Sequence, residues 1–129
     1  MEPSFRAKLV ERRTYSRPKG DGTFETWDEI IDRVIGHQKW LWSNAQGGDL
    51  NQAQKKELGD LKTLLLNRQV MLAGRTLWLG GTDVAKRRQA TNFNCSFLRI
   101  KTIHDIVDAY WLLMQGCGVG FEPITGVLS

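Results

Sequence analysis

With 129 residues, 41% of them hydrophobic and 25% charged, and with five tryptophans, the chain is excluded from the disordered class, whose members bury too little apolar surface to offset chain entropy, and it fits one domain with a real core. The net charge of +4 is spread along the chain except at Arg12-Arg13 and Lys86-Arg87-Arg88, which suits an anionic partner without identifying one. The absence of an apolar run of about 18 residues and of a signal peptide argues against membrane insertion and secretion, so a cytoplasmic protein with reduced thiols and no membrane partner is expected.

Residues 1–25 carry Arg12, Arg13, Arg17 and Lys19 and a loop at 18–22, show no sustained periodicity, and read as an extended arm. Thr26-Trp27-Asp28-Glu29 matches a capping box, so a helix should start there. Trp27, Ile30, Ile31, Val34, Gln38 and Leu41 follow at spacings of three and four, which predicts an apolar stripe to about Trp42, ended by the polar and glycine residues 44–48. Asp49 is a candidate cap for a second helix carrying Leu58, Leu61, Leu64, Leu65 and Met71, packed on the first. The segment 74–82 breaks the helical pattern with Gly74, Gly80 and Gly81, and 83–92 continues as a polar loop. Phe93 to Ile100 predicts a strand with Cys95, Phe97 and Arg99 on one face. Thr102 is placed to cap a third helix with Ile103, Ile106, Val107, Tyr110, Leu113 and Met114 on one side. That helix should stop at Gly116, and 119–124 should begin another strand. The order helix, helix, strand, helix, strand is α/β in class. It divides into an arm at 1–25, a helical region with a glycine-rich loop at 26–92, and a strand–helix–strand unit from 93 to 129, which belongs in a parallel sheet with more strands beside it.

Few of these residues announce chemistry by themselves. Cys95 and Cys117 have no CxxC spacing and only His37 and His104 to assist them, which argues against a structural zinc site or any other metal centre. A cysteine placed like Cys95 is more often a small buried apolar residue than a reactive one. The stretch 116–120 reads equally as a phosphate cradle or as a tight turn; it follows a helix and precedes a strand, the reverse of a dinucleotide fingerprint, and lacks the ending of a P-loop. Cys117 reads as a filler of that turn. Lys86-Arg87-Arg88 reads as a solvated loop in preference to a nucleic-acid contact, Trp40 and Trp42 as core by their helical spacing, Trp78 as free to stack on a base, and His104 as a neutral surface histidine.

Four stretches, in order, carry more: Arg12-Arg13-Thr14-Tyr15-Ser16-Arg17 followed by Glu25-Thr26-Trp27-Asp28-Glu29; Gly74-Arg75-Thr76-Leu77-Trp78-Leu79-Gly80-Gly81-Thr82-Asp83; Asn94-Cys95-Ser96-Phe97; and Leu113-Met114-Gln115-Gly116-Cys117-Gly118-Val119-Gly120-Phe121. At these separations they resemble the adenosylcobalamin-dependent (class II) ribonucleotide reductases, in particular the N-terminal segment of the monomeric ribonucleoside triphosphate reductases. The resemblance implies a helical N-terminal region followed by a ten-stranded α/β barrel, of which 93–129 would be the first strand–helix–strand unit. It implies that Cys95 is redox-active, helps the ribose 2′-hydroxyl leave as water, and forms a disulfide with a cysteine absent from this chain, chemistry that needs a thiol. It places Asn94 and Gly118 in the substrate site, Gly118 where a Cβ would occupy substrate space, and leaves Cys117 without a redox role.

The same resemblance implies thiyl-radical reduction of ribonucleotides, triphosphates being favoured, to deoxyribonucleotides for DNA synthesis. Its cofactor would be adenosylcobalamin, bound mostly outside this chain, as would be the allosteric nucleotide site. Its partners would be the ribonucleotide, a C-terminal barrel segment supplied in cis or in trans, and a thioredoxin-like dithiol reductant. The other cysteines of the family cannot all be here, so the chain alone is expected to be inactive, whether as the product of a split gene or as a fragment. The alternative is a small basic nucleic-acid-binding module built on Arg12, Arg13, Arg17, Lys86, Arg87 and Arg88, whose affinity would fall steeply with salt.

Overall fold

The capping box at Thr26 forms as expected in the computed structural model, which describes residues 3–122. The Thr26 hydroxyl accepts the Glu29 N–H at 3.4 Å while the Glu29 carboxylate accepts the Thr26 N–H at 2.7 Å. Two otherwise orphaned donors are satisfied at once. The chain divides into two compact units, Met1–Thr82 and Asp83–Ser129.

In the first unit, α1 (Phe5–Val10) runs into a π-helical turn (Glu11–Tyr15), followed by α2 (Trp27–Gln46), α3 (Gln52–Leu66) and α4 (Gly74–Leu79). The arm is therefore not simply extended. Its helical part escapes a search for periodicity because α1 buries no residue, so no apolar stripe is required of it. Ser4 caps it by accepting the Ala7 N–H at 3.3 Å. Beyond Tyr15 the backbone is extended, with a bridge between Pro18 and Phe24. Glu11 on the π-turn pairs with Arg68 at 2.6 Å, and the Arg68 guanidinium lies 4.2 Å from the centre of the Trp27 ring.

Helix α2 continues past Trp42 to Gln46 and ends where Gly47 adopts φ 69°, a left-handed cap that glycine takes without a Cβ penalty. The cap of α3 is Asn51 rather than Asp49: its side chain accepts the Gln54 N–H at 2.9 Å and Gln54 reciprocates at 2.8 Å, leaving Leu50 buried just ahead of the helix. Trp27, Ile30, Ile31, Val34, Leu65 and Leu77 form the core, with Leu61 partly buried against it. Leu64 and Met71 do not join it; they are exposed, Met71 lying beyond the end of α3. The stripe of α2 passes through His37, buried and stacked on Trp40 at 5.6 Å, where sequence periodicity pointed to Gln38. Trp27 Nε1 donates to the Leu65 carbonyl at 3.1 Å, tying the start of α2 to the end of α3. Leu65→Ala should cost about 2–5 kcal/mol, the usual loss for a fully buried leucine, read as a lower denaturation midpoint at unchanged slope.

The expected loop at 74–82 is helical. Its glycines stand at the edges of α4 rather than inside it, and Leu77 is fully buried. A Cβ on Gly80 would lie 2.5 Å from the Thr76 carbonyl oxygen, and one on Gly81, at φ 83°, 2.6 Å from the Arg33 carbonyl oxygen. Gly80 lets the chain turn tightly on the end of α4, and Gly81 lets it close over α2. Arg33 fastens that closure: its guanidinium holds both Glu25 carboxylate oxygens, at 2.7 and 2.9 Å, and donates to the carbonyls of Leu77, at 3.1 Å, and Gly80.

The second unit begins earlier than residue 93. Residues 83–92, expected as a loop, form α5 (Asp83–Arg87) and a 3-10 turn (Gln89–Asn92), with Asp83 in the first turn of α5 and Lys86 and Arg87 in the last, the arrangement the helix dipole favours. Then come β1 (Cys95–Arg99), α6 (Ile103–Met114) and β2 (Gly118–Glu122). The two strands pair in parallel, Cys95 opposite Gly118 and Arg99 opposite Glu122. The part of the second predicted strand at 123–124 lies outside the described residues. Thr102 caps α6 with Asp105, whose carboxylate accepts the N–H groups of Lys101, at 2.9 Å, and Thr102, at 2.7 Å. These bonds hold the Asp105 carboxyl below its ordinary range. Ile106, Ala109 and Leu113 of α6 meet Ile100, Val119 and Phe121 across an apolar cavity of about 310 Å³. Ile103, Val107 and Met114 of α6 are exposed, so the single stripe expected of this helix is divided. Among the described residues no helix is long and apolar enough to cross a membrane.

Candidate functional site

A parallel two-stranded sheet with a helix on one face leaves the other face open, and side chains alternate between the two. Ser96, Leu98 and Val119 belong to the helix side. Cys95, Phe97 and Arg99 share the open side and are exposed. The register then builds three cross-strand pairs there. Arg99 Nε and the Glu122 carboxylate meet at 2.6 Å. The Phe97 ring lies over Gly120, where a Cβ would come within 3.3 Å of it. At the near end Cys95 faces Gly118, and a Cβ on that glycine would sit 3.8 Å from the cysteine sulfur and 3.3 Å from the Asn94 carbonyl oxygen.

The local chain geometry makes this junction reproducible. Gly116 turns the backbone at φ 80° out of α6, and the Gly118 N–H then donates to the Asn94 carbonyl at 2.8 Å. The Ser96 hydroxyl donates to the Gly118 carbonyl at 3.3 Å. Gly118, distant in sequence, is thus brought to the neighbouring residues Asn94 and Cys95. The strand pairing leaves an exposed thiol beside the missing side chain of a glycine. Both thiols of the chain are free, but Cys117 is buried and its S–H points to the neighbouring Gly118 carbonyl at 3.6 Å. Phe97, Gly120, Arg99 and Glu122 were not singled out as site residues. The signal for them was the matched alternation Cys-x-Phe-x-Arg and Gly-x-Gly-x-Glu, which means nothing until the register is known.

Other candidates are not drawn into the site. Among the described residues no group of three or more histidine, cysteine, aspartate or glutamate side chains is placed to hold a metal ion. His104 is exposed. In the first unit Arg12 lies over Phe24 at 5.0 Å and Arg17 donates to the Trp78 carbonyl at 3.1 Å, so these arginines serve the fold, and Lys86, Arg87 and Arg88 belong to the other unit.

The sequence of residues 3–82 matches the family model of the ribonucleotide reductase alpha domain. The chain belongs to the ribonucleotide reductase family. A protein of Mycobacterium phage D29 is 36% identical over 115 residues, covering 88% of this chain and 15% of the phage protein. The adenosylcobalamin-dependent ribonucleoside-triphosphate reductase of Euglena gracilis is 27% identical over 127 residues, covering 89% of this chain and 17% of its own length. That of Lactobacillus leichmannii is 32% identical over 97 residues, 72% of this chain and 13% of the relative. A crystal structure of a B12-dependent (class II) ribonucleotide reductase superposes with a TM-score of 0.74 at 26% identity, over 88% of this chain and 19% of that one. The chain therefore shares the mixed architecture of helices and a small parallel sheet with a class II reductase, and spans about 15% of the length of the phage relative. Within the reductase family match, the motifs at 12–17, 25–29 and 74–81 are those whose backbones and side chains converge on Arg33, which also lies 3.5 Å from the Tyr15 carbonyl.

Proposed function

We propose that this chain supplies the helical N-terminal region and the first strand–helix–strand unit of the α/β barrel of an adenosylcobalamin-dependent ribonucleoside-triphosphate reductase, and that Cys95 is one of its two substrate-reducing thiols. The observation that carries the proposal is the pairing of Cys95 with Gly118, which sets an exposed thiol next to a space no side chain fills. Replacing a ribose hydroxyl by hydrogen, with loss of water, consumes two electrons and two protons. Two thiols closing to one disulfide supply both. Cys95 would be the first thiol; the second would come from polypeptide beyond this chain, because Cys117 is buried and turned to its own backbone.

Asn94 and Gly118 act on this reading as the substrate-side frame. The Asn94 carbonyl holds the Gly118 N–H, which fixes the separation of the strands at the thiol, and the absent Cβ leaves room for the ribose. Triphosphates are favoured as substrates by the names of the relatives from Euglena and Lactobacillus.

Among the described residues, the cavities of about 310, 360 and 500 Å³ are of the size that takes small ligands and do not fit a corrin ring with its nucleotide tail. Its site, the remaining barrel strands and the docking place of a thioredoxin-like dithiol are accordingly assigned to the partner polypeptide, joined in cis or in trans. A cytoplasmic setting suits this chemistry, since the thiols must be re-reduced.

The test is complementation. This chain is mixed with, or fused to, the polypeptide corresponding to the rest of a class II relative, with adenosylcobalamin, a ribonucleoside triphosphate and a dithiol. Deoxynucleotide should form when both parts are present and with neither alone. Absence of product from the pair, under conditions in which the relative's intact enzyme turns over, would refute the assignment.

A further inference from the structure

We infer that the cavity between α1 and the contact of Trp27 with Arg68 binds a small monoanion, a carboxylate carried on an apolar body. It shares no residue with the Cys95–Gly118 junction, and the inference does not rest on the reductase reading.

The cavity has a volume of about 360 Å³, is of small-ligand size, and lies wholly within the first unit. On one wall the Arg68 guanidinium lies 4.2 Å from the centre of the Trp27 ring and meets the Glu11 carboxylate at 2.6 Å. That bond engages one of the five N–H donors a guanidinium carries, so donors remain for a ligand in the space that Arg68 lines. The backbone there is strained as well. Arg68 sits at φ 57°, the one non-glycine residue at positive φ among the described residues, and strain of this kind clusters at ligand sites, where the surrounding structure over-determines it. Arg6 also lines the cavity. Among the described lining residues two guanidinium groups stand against one carboxylate, an excess of one positive charge that matches a monoanion. A planar carboxylate fits the guanidinium fork with paired hydrogen bonds. An ion alone would not need the other walls. Ala7, Val10 and Met71 line the cavity and are exposed, leaving apolar surface in water that a ligand's body would cover. A molecule apolar along its length and charged at one end satisfies both kinds of wall.

The experiment is isothermal titration of the full chain at low salt with phenylpropionate, phenylpropionamide, acetate and inorganic phosphate. Phenylpropionate should saturate one site in the millimolar range and bind more tightly than the other three, because it alone carries both the charge and the body. Arg6→Gln, at an exposed position, should weaken the acid about tenfold, the scale of one charge-assisted hydrogen bond, and leave the amide unchanged. Val10→Trp, also at an exposed position, fills the cavity and should remove binding of both. Lys8→Gln, on α1 but outside the lining, should change neither. A peptide ending in a free phenylalanine carboxylate separates two sources of such a group. Tighter binding of the peptide assigns the site to a chain terminus, tighter binding of the free acid to a small molecule, and either supports the site. The inference is overturned if the acid fails to saturate, if the amide or phosphate binds as tightly as the acid, or if Val10→Trp leaves binding intact. It is equally overturned if Lys8→Gln weakens the acid as much as Arg6→Gln, which would mark mere surface charge.

Discussion

Cys95→Ser is expected to abolish multiple-turnover reduction when the chain is assembled with the rest of a class II reductase, while nucleotide binding persists. A hydroxyl can neither close a disulfide nor give up the reducing equivalent, so the loss falls on the chemical step. The structure limits other damage. Serine is smaller than cysteine by little, the side chain is exposed on the open face of β1, and the backbone bond from Gly118 to Asn94 does not involve it. Cys117→Ala is the control, since that thiol is buried and its only described bond is to the adjacent Gly118 carbonyl. The two variants should differ by orders of magnitude in deoxynucleotide formed. Turnover retained in Cys95→Ser, or lost equally in Cys117→Ala, would remove Cys95 from the role assigned to it.

Arg33→Met should be the most destabilising single change in the first unit, at roughly 3–5 kcal/mol, the cost of removing one partner from a largely buried ion pair. The side chains of Arg33 and Glu25 are 14% and 13% exposed, so water replaces little of what is lost. The variant strands the Glu25 carboxylate and also leaves the Leu77 and Gly80 carbonyls without their donor, each a further penalty. Arg33→Lys should fall between, keeping the charge but not the fork that reaches several acceptors at once. Pairing Arg33→Met with Glu25→Gln should recover part of the loss, because no uncompensated charge then remains. Urea denaturation of the four proteins measures this. A cost below about 1 kcal/mol for Arg33→Met, the behaviour of an exposed salt bridge, would show that the network is decorative.

Arg33 is also instructive because nothing in the sequence marks it. It sits between apolar positions of an amphipathic helix, where an arginine ordinarily faces solvent. Its importance comes from what the chain brings to it: Tyr15, Glu25, Leu77 and Gly80 belong to segments read separately as an arm, a cap and a glycine loop. The same segments carry the family resemblance. The glycines at 80 and 81 break the helical pattern in sequence, whereas in the structure Gly81 lets the chain pass against Arg33 of α2 and Gly80 lets it turn tightly on Thr76 of α4 itself, at distances a Cβ would forbid.

What the sequence determined by itself were features whose causes are local. The capping box at Thr26, the cap at Thr102, the helix stop within 44–48, the strand at 93–100 and the strand–helix–strand order each depend on residues within a few positions of one another, whereas Asn94-Cys95-Ser96-Phe97 stood out only through its resemblance to the family. Only the tertiary structure decided the rest. It made helices of 5–15 and 74–79, divided the apolar residues of α6 between two faces, chose His37 over Gln38 for the buried stripe, and put Gly118 rather than its neighbours opposite Cys95. Apart from α1, which buries no residue, each of these is settled by a partner distant in sequence. A shift of one residue in the pairing of β1 with β2 would turn every side chain of the site to the other face, and periodicity within either strand is the same in both registers.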